Sequence, residues 1–328
     1  MVRTGLVLAA GGLVGQAYHA GVLAALEHDL GWDPRTADIV VGTSAGSVTG
    51  TLLRVGVPAH DLSAWAVQAP LSVESRQTFK QLTDGRHPQF PALSLRDWLS
   101  GWRLPSPELI RRFVRRPWTI RPSVLAMTMA PAGEIDLSAH VDAFDEVAGD
   151  TWPRQLWICA ACRDDGRRVV FGRGEDPQVS VAEAVSASCA IPGYFCPVDI
   201  AGVEYFDGGV HSPSNADILA HQQLDLVIAI SPMSAAGGAT TGLDRFLRLL
   251  AHRRLEREVR HLRERGTAVV RIEPTSDVLD AMGINMMAGD RAERVVQEAF
   301  VDTGHYTSEP RIAARLAPLS RRRRRHAS

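Results

Sequence analysis

Val40-Val41-Gly42-Thr43-Ser44-Ala45-Gly46-Ser47 joins two elements of different period through one tight turn. An apolar run, Ile39 to Val41, enters a Gly-x-Ser-x-Gly turn, and a helical stretch from Ala45 to Val55 leaves it. So tight a turn admits only small residues at Gly42 and Gly46, and the serine between them is forced outward. Its hydroxyl then stands at the carboxyl end of a strand and at a helix N-terminus, where free amides and the helix dipole favour negative charge. Ser44 is therefore a candidate nucleophile. The plainer alternative makes it only the N-cap of the helix that follows, and the rest of the chain has to decide.

Upstream, a strand from Gly5 to Ala10 runs into Gly11-Gly12-Leu13-Val14-Gly15 and then a helix from about Gln16 to His28. The loop lacks the Lys-Ser/Thr of a phosphate-binding Walker motif, and Ala10 stands where the dinucleotide fingerprint has its first glycine. The alternative is an oxyanion hole, in which the amides of Gly11, Gly12 and Leu13 turn towards one point. Two neighbouring strand-to-helix turns in a parallel sheet bring this loop and Ser44 to the same edge.

Downstream, the chain from Pro58 to about Pro153 is rich in proline and carries Trp98, Trp102, Trp118 and the run Arg111-Arg112-Phe113-Val114-Arg115-Arg116. It reads as an inserted cap with short helices at Leu95–Gly101, Pro107–Val114 and His140–Phe144. Arginine with tryptophan suits anionic lipid head groups, and equally an ordinary solvated surface. His140 and Asp142 fall in this cap and read as surface polarity. Regular structure returns as a hairpin, Leu156 to Arg163 and Arg168 to Gly172, about Asp164-Asp165-Gly166. A small-residue helix (Val181 to Ser188) and two short strands around Gly202 follow. The second strand ends in Asp207-Gly208-Gly209, which holds a carboxylate where a sheet edge meets a cleft; Asp-Gly is also a common turn. A helix (Ser214 to Gln222), strand Leu226 to Ile230, long helix Leu243 to Arg265, strand Ala268 to Ile272 and a helix from Ala288 to about Gly304 complete an α/β alternation. The last residues, 313–328, form a basic tail whose Arg321 to Arg325 block reads as disordered, solubilising or attracted to anionic lipid.

Composition narrows the class. With 328 residues, 45% hydrophobic content and a net charge of -1, the chain is a globular protein with a large core and no nucleic-acid signature. No apolar run approaches the ~20 residues of a spanning helix. The short run after Arg3 is cut by Gly11-Gly12 below signal-peptide length, so a cytoplasmic location is expected. Cys159 and Cys162 have redox or metal spacing, but they lie in a strand where residues three apart face opposite ways, and no second pair completes a metal site. Buried thiols, no metal and no organic cofactor are the expectation.

The order of glycine loop, Gly42-Thr43-Ser44-Ala45-Gly46, Ala187-Ser188-Cys189-Ala190-Ile191-Pro192-Gly193 and Asp207-Gly208-Gly209 resembles the patatin-like phospholipases over nearly the whole chain outside cap and tail. The resemblance implies a three-layer α/β/α sandwich with a central, mostly parallel sheet and an inserted helical cap (about 58–153) in a domain spanning 1–312. It implies a Ser-Asp dyad cleaving lipid acyl esters. Matched by motif, Ser44 is the nucleophile, Asp207 the base, the amides of Gly11, Gly12 and Leu13 the oxyanion hole, and Gly15, Gly42, Gly46, Gly208 and Gly209 the motif glycines. The chain departs from the family at Ala10, where a further glycine is usual, and at Val14, often a basic residue. Neither His19 nor His211 occupies an obvious triad position. The expected function is a lipid acyl hydrolase acting through an acyl-enzyme, with a lipid or acyl-ester substrate and peripheral contact with anionic membrane. An acyltransferase of the same architecture and a catalytically silent lipid-binding module are the alternatives.

Overall fold

Along the central strands both faces are apolar, which buries a sheet between two helical layers rather than leaving one side to solvent. The computed structural model describes residues 2–83, 90–91, 106–115, 122–174, 179–235 and 242–326. In chain order the elements are β1 (Thr4–Leu8), α1 (Gly12–Leu30), β2 (Ile39–Thr43), α2 (Ala45–Arg54), α3 (Ala59–Ala66), α4 (Val73–Thr83), α5 (Pro107–Arg115), α6 (Pro122–Thr128), α7 (Ser138–Val141) and α8 (Ala143–Ala148). There follow β3 (Leu156–Cys162), β4 (Arg168–Phe171), α9 (Val181–Cys189), β5 (Val198–Ile200), β6 (Val203–Asp207), β7 (Leu226–Ile230), α10 (Gly242–Glu264), β8 (Ala268–Ile272), α11 (Ser276–Met282), α12 (Ala292–Ser308) and α13 (Pro310–His326).

The eight strands form one sheet in the order β5-β6-β3-β2-β1-β7-β8, with β4 paired to β3. Strands β3, β2, β1, β7 and β8 are parallel; β4, β5 and β6 pair antiparallel. Side chains sort by the period of two. Leu6, Leu8, Val40, Leu156, Ile158 and Ile228 enter one core with α1, α2, α9 and α12. Val7, Ile39, Val41, Trp157, Val227 and Ala229 enter the other, closed by Leu255, Val259 and Leu262 of α10. This is the three-layer α/β/α sandwich. Between α2 and β3 the described elements are the helices α3 to α8.

The pairing of β3 explains where the site forms. β2 pairs with residues 156–159 of β3, β4 with 158–161 and β6 with 160–162. Where β4 overlaps each of the others it occupies one edge, so β2 and β6 share the opposite edge and meet end to end. Thr43 lies opposite Cys159 and Asp207 opposite Ala160, one residue further along. The ends of two motifs distant in sequence are thereby abutted.

Several expectations change. Helix α1 begins at Gly12 rather than Gln16, so the glycine loop is itself the first turn, entered through Gly12 at φ 62°. The helix expected over Ser214 to Gln222 is only a 3-10 turn, Ala216–Leu219. Asn215 there is left-handed (φ 50°), and the Glu258 carboxylate binds the Ser212 and Ser214 hydroxyls and the Ala216 amide, which holds the segment out of a regular helix. Helix α11 was not foreseen, and the helix expected from Ala288 starts at Ala292, after a 3-10 turn. Helix α13 spans Pro310–His326, and buried Ile312, Leu316 and Leu319 pin its first half. The expected cap helix Leu95–Gly101 and Trp98, Trp102 and Trp118 lie outside the described residues, as do the side chains of His140 and of Arg321 to Arg325.

The elbow gives a stability prediction. A Cβ on Gly46 would stand 1.9 Å from the Leu8 carbonyl oxygen, with fixed backbone on both sides. Gly46→Ala should therefore lower stability by at least ~2 kcal/mol in denaturant unfolding, as overpacking does elsewhere. An unchanged midpoint would contradict the packing of α2 on β1.

Candidate active site

Ser44 sits at the N-cap of α2 with φ 54° and ψ -123°, a conformation that costs a non-glycine residue of order 1–3 kcal/mol and is held by its surroundings. Those surroundings are specific. The Ser44 amide donates to Ser188 Oγ (2.9 Å), and that hydroxyl donates to the Cys159 carbonyl (2.7 Å). The Ser44 carbonyl accepts from the Ser47 amide and the Ser47 hydroxyl, both at 2.7 Å. A Cβ on Gly42 would be 2.5 Å from the Gly46 carbonyl oxygen. Both motif glycines are thus required by the close passage of helix over strand. The Ser44 side chain makes no capping bond to the helix; its hydroxyl lies near enough to Asp207 to favour the charged carboxylate. The simple N-cap reading does not describe this serine.

Asp207 closes β6. Its amide donates to the Ala190 carbonyl (3.0 Å), and its Oδ1 accepts from the Gly209 amide (2.7 Å). Gly208 passes so close to β3 that a Cβ there would lie 2.3 Å from the Cys159 carbonyl oxygen. Burial raises the Asp207 carboxyl, and the nearby Ser44 hydroxyl and the bond from the Gly209 amide lower it; burial wins, and the group is pushed up to about 6.

The third motif faces the same place. Gly12 and Leu13 line a cavity of about 140 Å³ that reaches Ser44, along with Ala45, Val48, Leu52, Phe79, Val141, Phe144, Ile191 and Phe195. The Val14 amide goes to the Met286 carbonyl and the Gly15 amide to the Gly11 carbonyl. Among the described residues the amides of Gly11, Gly12 and Leu13 have no protein acceptor. Gly12 is needed twice over, for its left-handed backbone and because a Cβ would meet the Met286 carbonyl oxygen at 2.6 Å. Gly15 lies within ordinary contact of Pro232 and Ala45. Ala10 is buried and approaches Gly209, and Val14 is buried in the larger core, so the position that is often basic supplies no charge here. A larger cavity of about 640 Å³ adjoins the first, sharing Leu13, Gln16, Leu52, Trp65, Phe90 and Met287, and extends to Gln68, Asn285, Asp290 and Glu293.

The histidines stand elsewhere. His19 is fully buried, its Nδ1 3.4 Å from Thr49 Oγ1, and burial lowers its pKa to about 3. The Asp217 carboxyl, which burial would raise, is held down by Arg168, with Arg254 and His211 adding to the effect. Three residues not singled out from the sequence belong to the site. Ser188 bridges β2 and β3. Cys189 touches Ser47 at 3.6 Å and lines the cavity, its thiol pushed by burial up to about 12. Asn215 donates to Thr43 Oγ1 (3.1 Å) and the Ser212 carbonyl (2.6 Å), tying the turn after Asp207 to the end of β2. The Ala-Ser-Cys motif was the available signal for the first two, and nothing in sequence marked Asn215. Cys159 and Cys162 are free thiols, and no metal-binding cluster occurs among the described residues.

The model of the patatin-like phospholipase family matches residues 6–220, and the chain belongs to that family, one of lipid acyl hydrolases. Among solved structures the chain resembles VipD from Legionella pneumophila (15% identity over 93% of this chain and 66% of that one, TM-score 0.44). It also resembles the type III effector protein ExoU (17% identity, 96% of this chain and 69% of that one, TM-score 0.30). The chain thus spans about two thirds of VipD's length. No curated protein sequence matches it.

Ser188→Ala would take away the Ser44 amide's acceptor and leave that amide buried, at a cost of ~1–3 kcal/mol. Equilibrium unfolding should show that loss; a variant as stable as the parent would mean Ser188 does not hold the elbow.

Proposed function

We propose that the protein is a serine lipid acyl hydrolase of phospholipase A, lysophospholipase or esterase type. Ser44 forms the acyl-enzyme, Asp207 is the base, and the amides of Gly11, Gly12 and Leu13 receive the oxyanion. The observation that carries this reading is a serine hydroxyl that acts on the buried Asp207 carboxylate while Ser44 lines a cavity that Gly12 and Leu13 also line. Asp207 takes the hydroxyl proton as the oxygen attacks the ester carbonyl. The developing charge is met by backbone donors alone, and each such donor is worth ~10²–10³ in rate. Asp207 then returns the proton to the leaving alcohol, and water repeats the sequence on the acyl-enzyme. Apolar walls at Val48, Leu52, Phe79, Phe144 and Phe195 suit an acyl chain, and the adjoining larger cavity offers room for the rest of a lipid.

A silent lipid-binding module is disfavoured because a serine held in a costly backbone conformation and an aspartate raised by burial are hard to explain as relics. Transfer of the acyl group to another alcohol uses the same machinery. A hydrolysis screen over phospholipids, lysophospholipids, monoacylglycerols and short p-nitrophenyl esters, with and without an acceptor lipid, separates these readings. Ser44→Ala should reduce turnover to background while leaving stability nearly unchanged; a purified Ser44→Ala that keeps most of its activity would sink the assignment.

The pH dependence follows from Asp207. Ionised carboxylate is the competent base, so kcat/KM on a neutral ester should rise with pH through one ionisation near 6 and then stay level. That midpoint overlaps histidine, so substitutions decide: Asp207→Asn should abolish activity and His211→Ala should not, and the reverse result would replace the dyad with a histidine base. Stability gives a second readout. A carboxyl whose folded pKa is raised from 3.8 to about 6 binds its proton more tightly folded than unfolded. Stability therefore falls as pH rises across that window, by about 3 kcal/mol in all. Asp207→Asn should gain stability relative to the parent between pH 4 and pH 8, and a difference that does not vary with pH would contradict the burial effect.

A further inference from the structure

We infer that the protein docks on an anionic phospholipid bilayer through the end of the molecule where the carboxyl ends of the parallel strands lie, with the Ser44 cavity facing the lipid. This rests on the lipid hydrolase reading and adds the surface and the orientation to it. The exposed large apolar side chains mark that end. Among the described residues these are Val73, Ile110, Phe113, Val114, Phe246, Leu247, Leu250, Ile284 and Val301. Isolated exposed apolar residues need no explanation, whereas a concentration of them at one place does.

Their positions in the fold are not scattered. Helix α10 leaves the carboxyl end of β7, so Phe246, Leu247 and Leu250 on its first turns belong to that end. The Arg248 guanidinium ties those turns to the Pro232 carbonyl (2.9 Å), and Pro232 packs on Gly11 of the oxyanion loop. Ile284, 81% exposed, sits in the segment after β8 and α11 whose Met286 carbonyl holds the Val14 amide and whose Met287 lines the Ser44 cavity. Helix α5 is attached at its start by the Ser106 hydroxyl to the Asp164 carbonyl, just past the carboxyl end of β3. It buries Leu109 and exposes Ile110, Phe113 and Val114 at i, i+3 and i+4, one exposed face. Seven of the nine exposed residues thus belong to the end onto which the nucleophile opens. Val73 and Val301 are the two exceptions; α4 reaches the cavity with Phe79 and Leu82 in its later turns, and Val301 lies in the middle of α12.

Charge selects the occupant. Arg111 and Arg115 flank the apolar face of α5, which carries three arginines against one glutamate, and Arg245 adjoins Phe246 on α10. Apolar side chains that enter the acyl boundary, beside arginines whose stems lie along them and whose heads reach phosphates, are the pattern of an interfacial surface. Each such arginine adds attraction to an anionic leaflet. No described helix is long and apolar enough to cross a membrane, so attachment through these helices would be from one side.

The test is binding of the full chain carrying Ser44→Ala to vesicles of seven parts phosphatidylcholine and three parts phosphatidylglycerol, measured by co-sedimentation. The Ser44→Ala background makes the readout independent of turnover. Phe246→Ser/Leu247→Ser/Ile284→Ser and Phe113→Ser/Val114→Ser change only exposed positions, and circular dichroism melting confirms that each variant folds. Either set should weaken partitioning about tenfold or more, since each removes two or three large apolar side chains from the contact. Val73→Ser/Val301→Ser should leave it unchanged. Binding that survives both sets, or that falls equally with Val73→Ser/Val301→Ser, overturns the inference. Binding lost only on deleting residues 321–328 would also overturn it, by assigning attachment to the tail. Turnover of a soluble short-chain ester by the unmodified protein tests the hydrolase reading separately.

Discussion

The structure depends on two strands meeting end to end along a single edge of β3. β2 arrives parallel and stops at Thr43; β6 arrives antiparallel and stops at Asp207; their ends lie opposite Cys159 and Ala160. No residue of β3 separates the strand that leads to Ser44 from the strand that ends in Asp207. Everything else at the site maintains that abutment: Ser188 clasps the Ser44 amide to β3, Asn215 binds the Thr43 hydroxyl, and Gly208 lets the turn run against Cys159. Behind Asn215 stands a buried carboxylate, Glu258 of α10, which binds Ser212, Ser214 and the Ala216 amide while paired with Arg254 at 3.0 Å. The polar network thus runs from the second helical layer through the sheet to the candidate dyad, and a half-satisfied version would cost more than none.

The electrostatics of the site are those of a backbone-built centre. Val14 supplies no cation, the histidines lie apart, and the described residues lining the cavity beside Ser44 carry no formal charge. Negative charge on a reacting oxygen would be met by amide dipoles at the start of α1 and α2, fixed before substrate arrives and therefore without reorganisation cost. Burial serves the same arrangement from the other side. A solvated aspartate near pKa 3.9 is a poor proton acceptor; one raised to about 6 is better matched to a serine at neutral pH, at the expense of folding stability.

Much of this was legible in the sequence because it was local. The apolar period and length of Ile39–Val41, Leu156–Cys162 and Leu226–Ile230 identify buried strands, and the glycines at 42, 46 and 208 mark backbone approaches that the structure shows at under 3 Å from a would-be Cβ. The parts that were not legible depend on partners far away in sequence. Asn215 is a left-handed residue fixed by Thr43, 172 positions earlier, and its segment looked helical because the Glu258 carboxylate that unwinds it is 44 residues from Ser214. The balance between burial and hydrogen bonding at Asp207 had opposite signs in sequence, and only packing decides it. Likewise the C-terminal segment looked like a charged tail because five arginines mask the apolar spacing of Ile312, Leu316 and Leu319, which is what docks α13.

The most direct measurement of the central claim is covalent. A fluorophosphonate probe reacts only with a serine whose hydroxyl is activated and whose oxyanion is stabilised, so it reports the whole arrangement without a known substrate. Incubated with the folded protein and mapped by peptide mass spectrometry, it should label one residue, Ser44, and the same labelling should be lost in Asp207→Asn. Labelling absent from the parent, or retained in full by Asp207→Asn, would contradict the account.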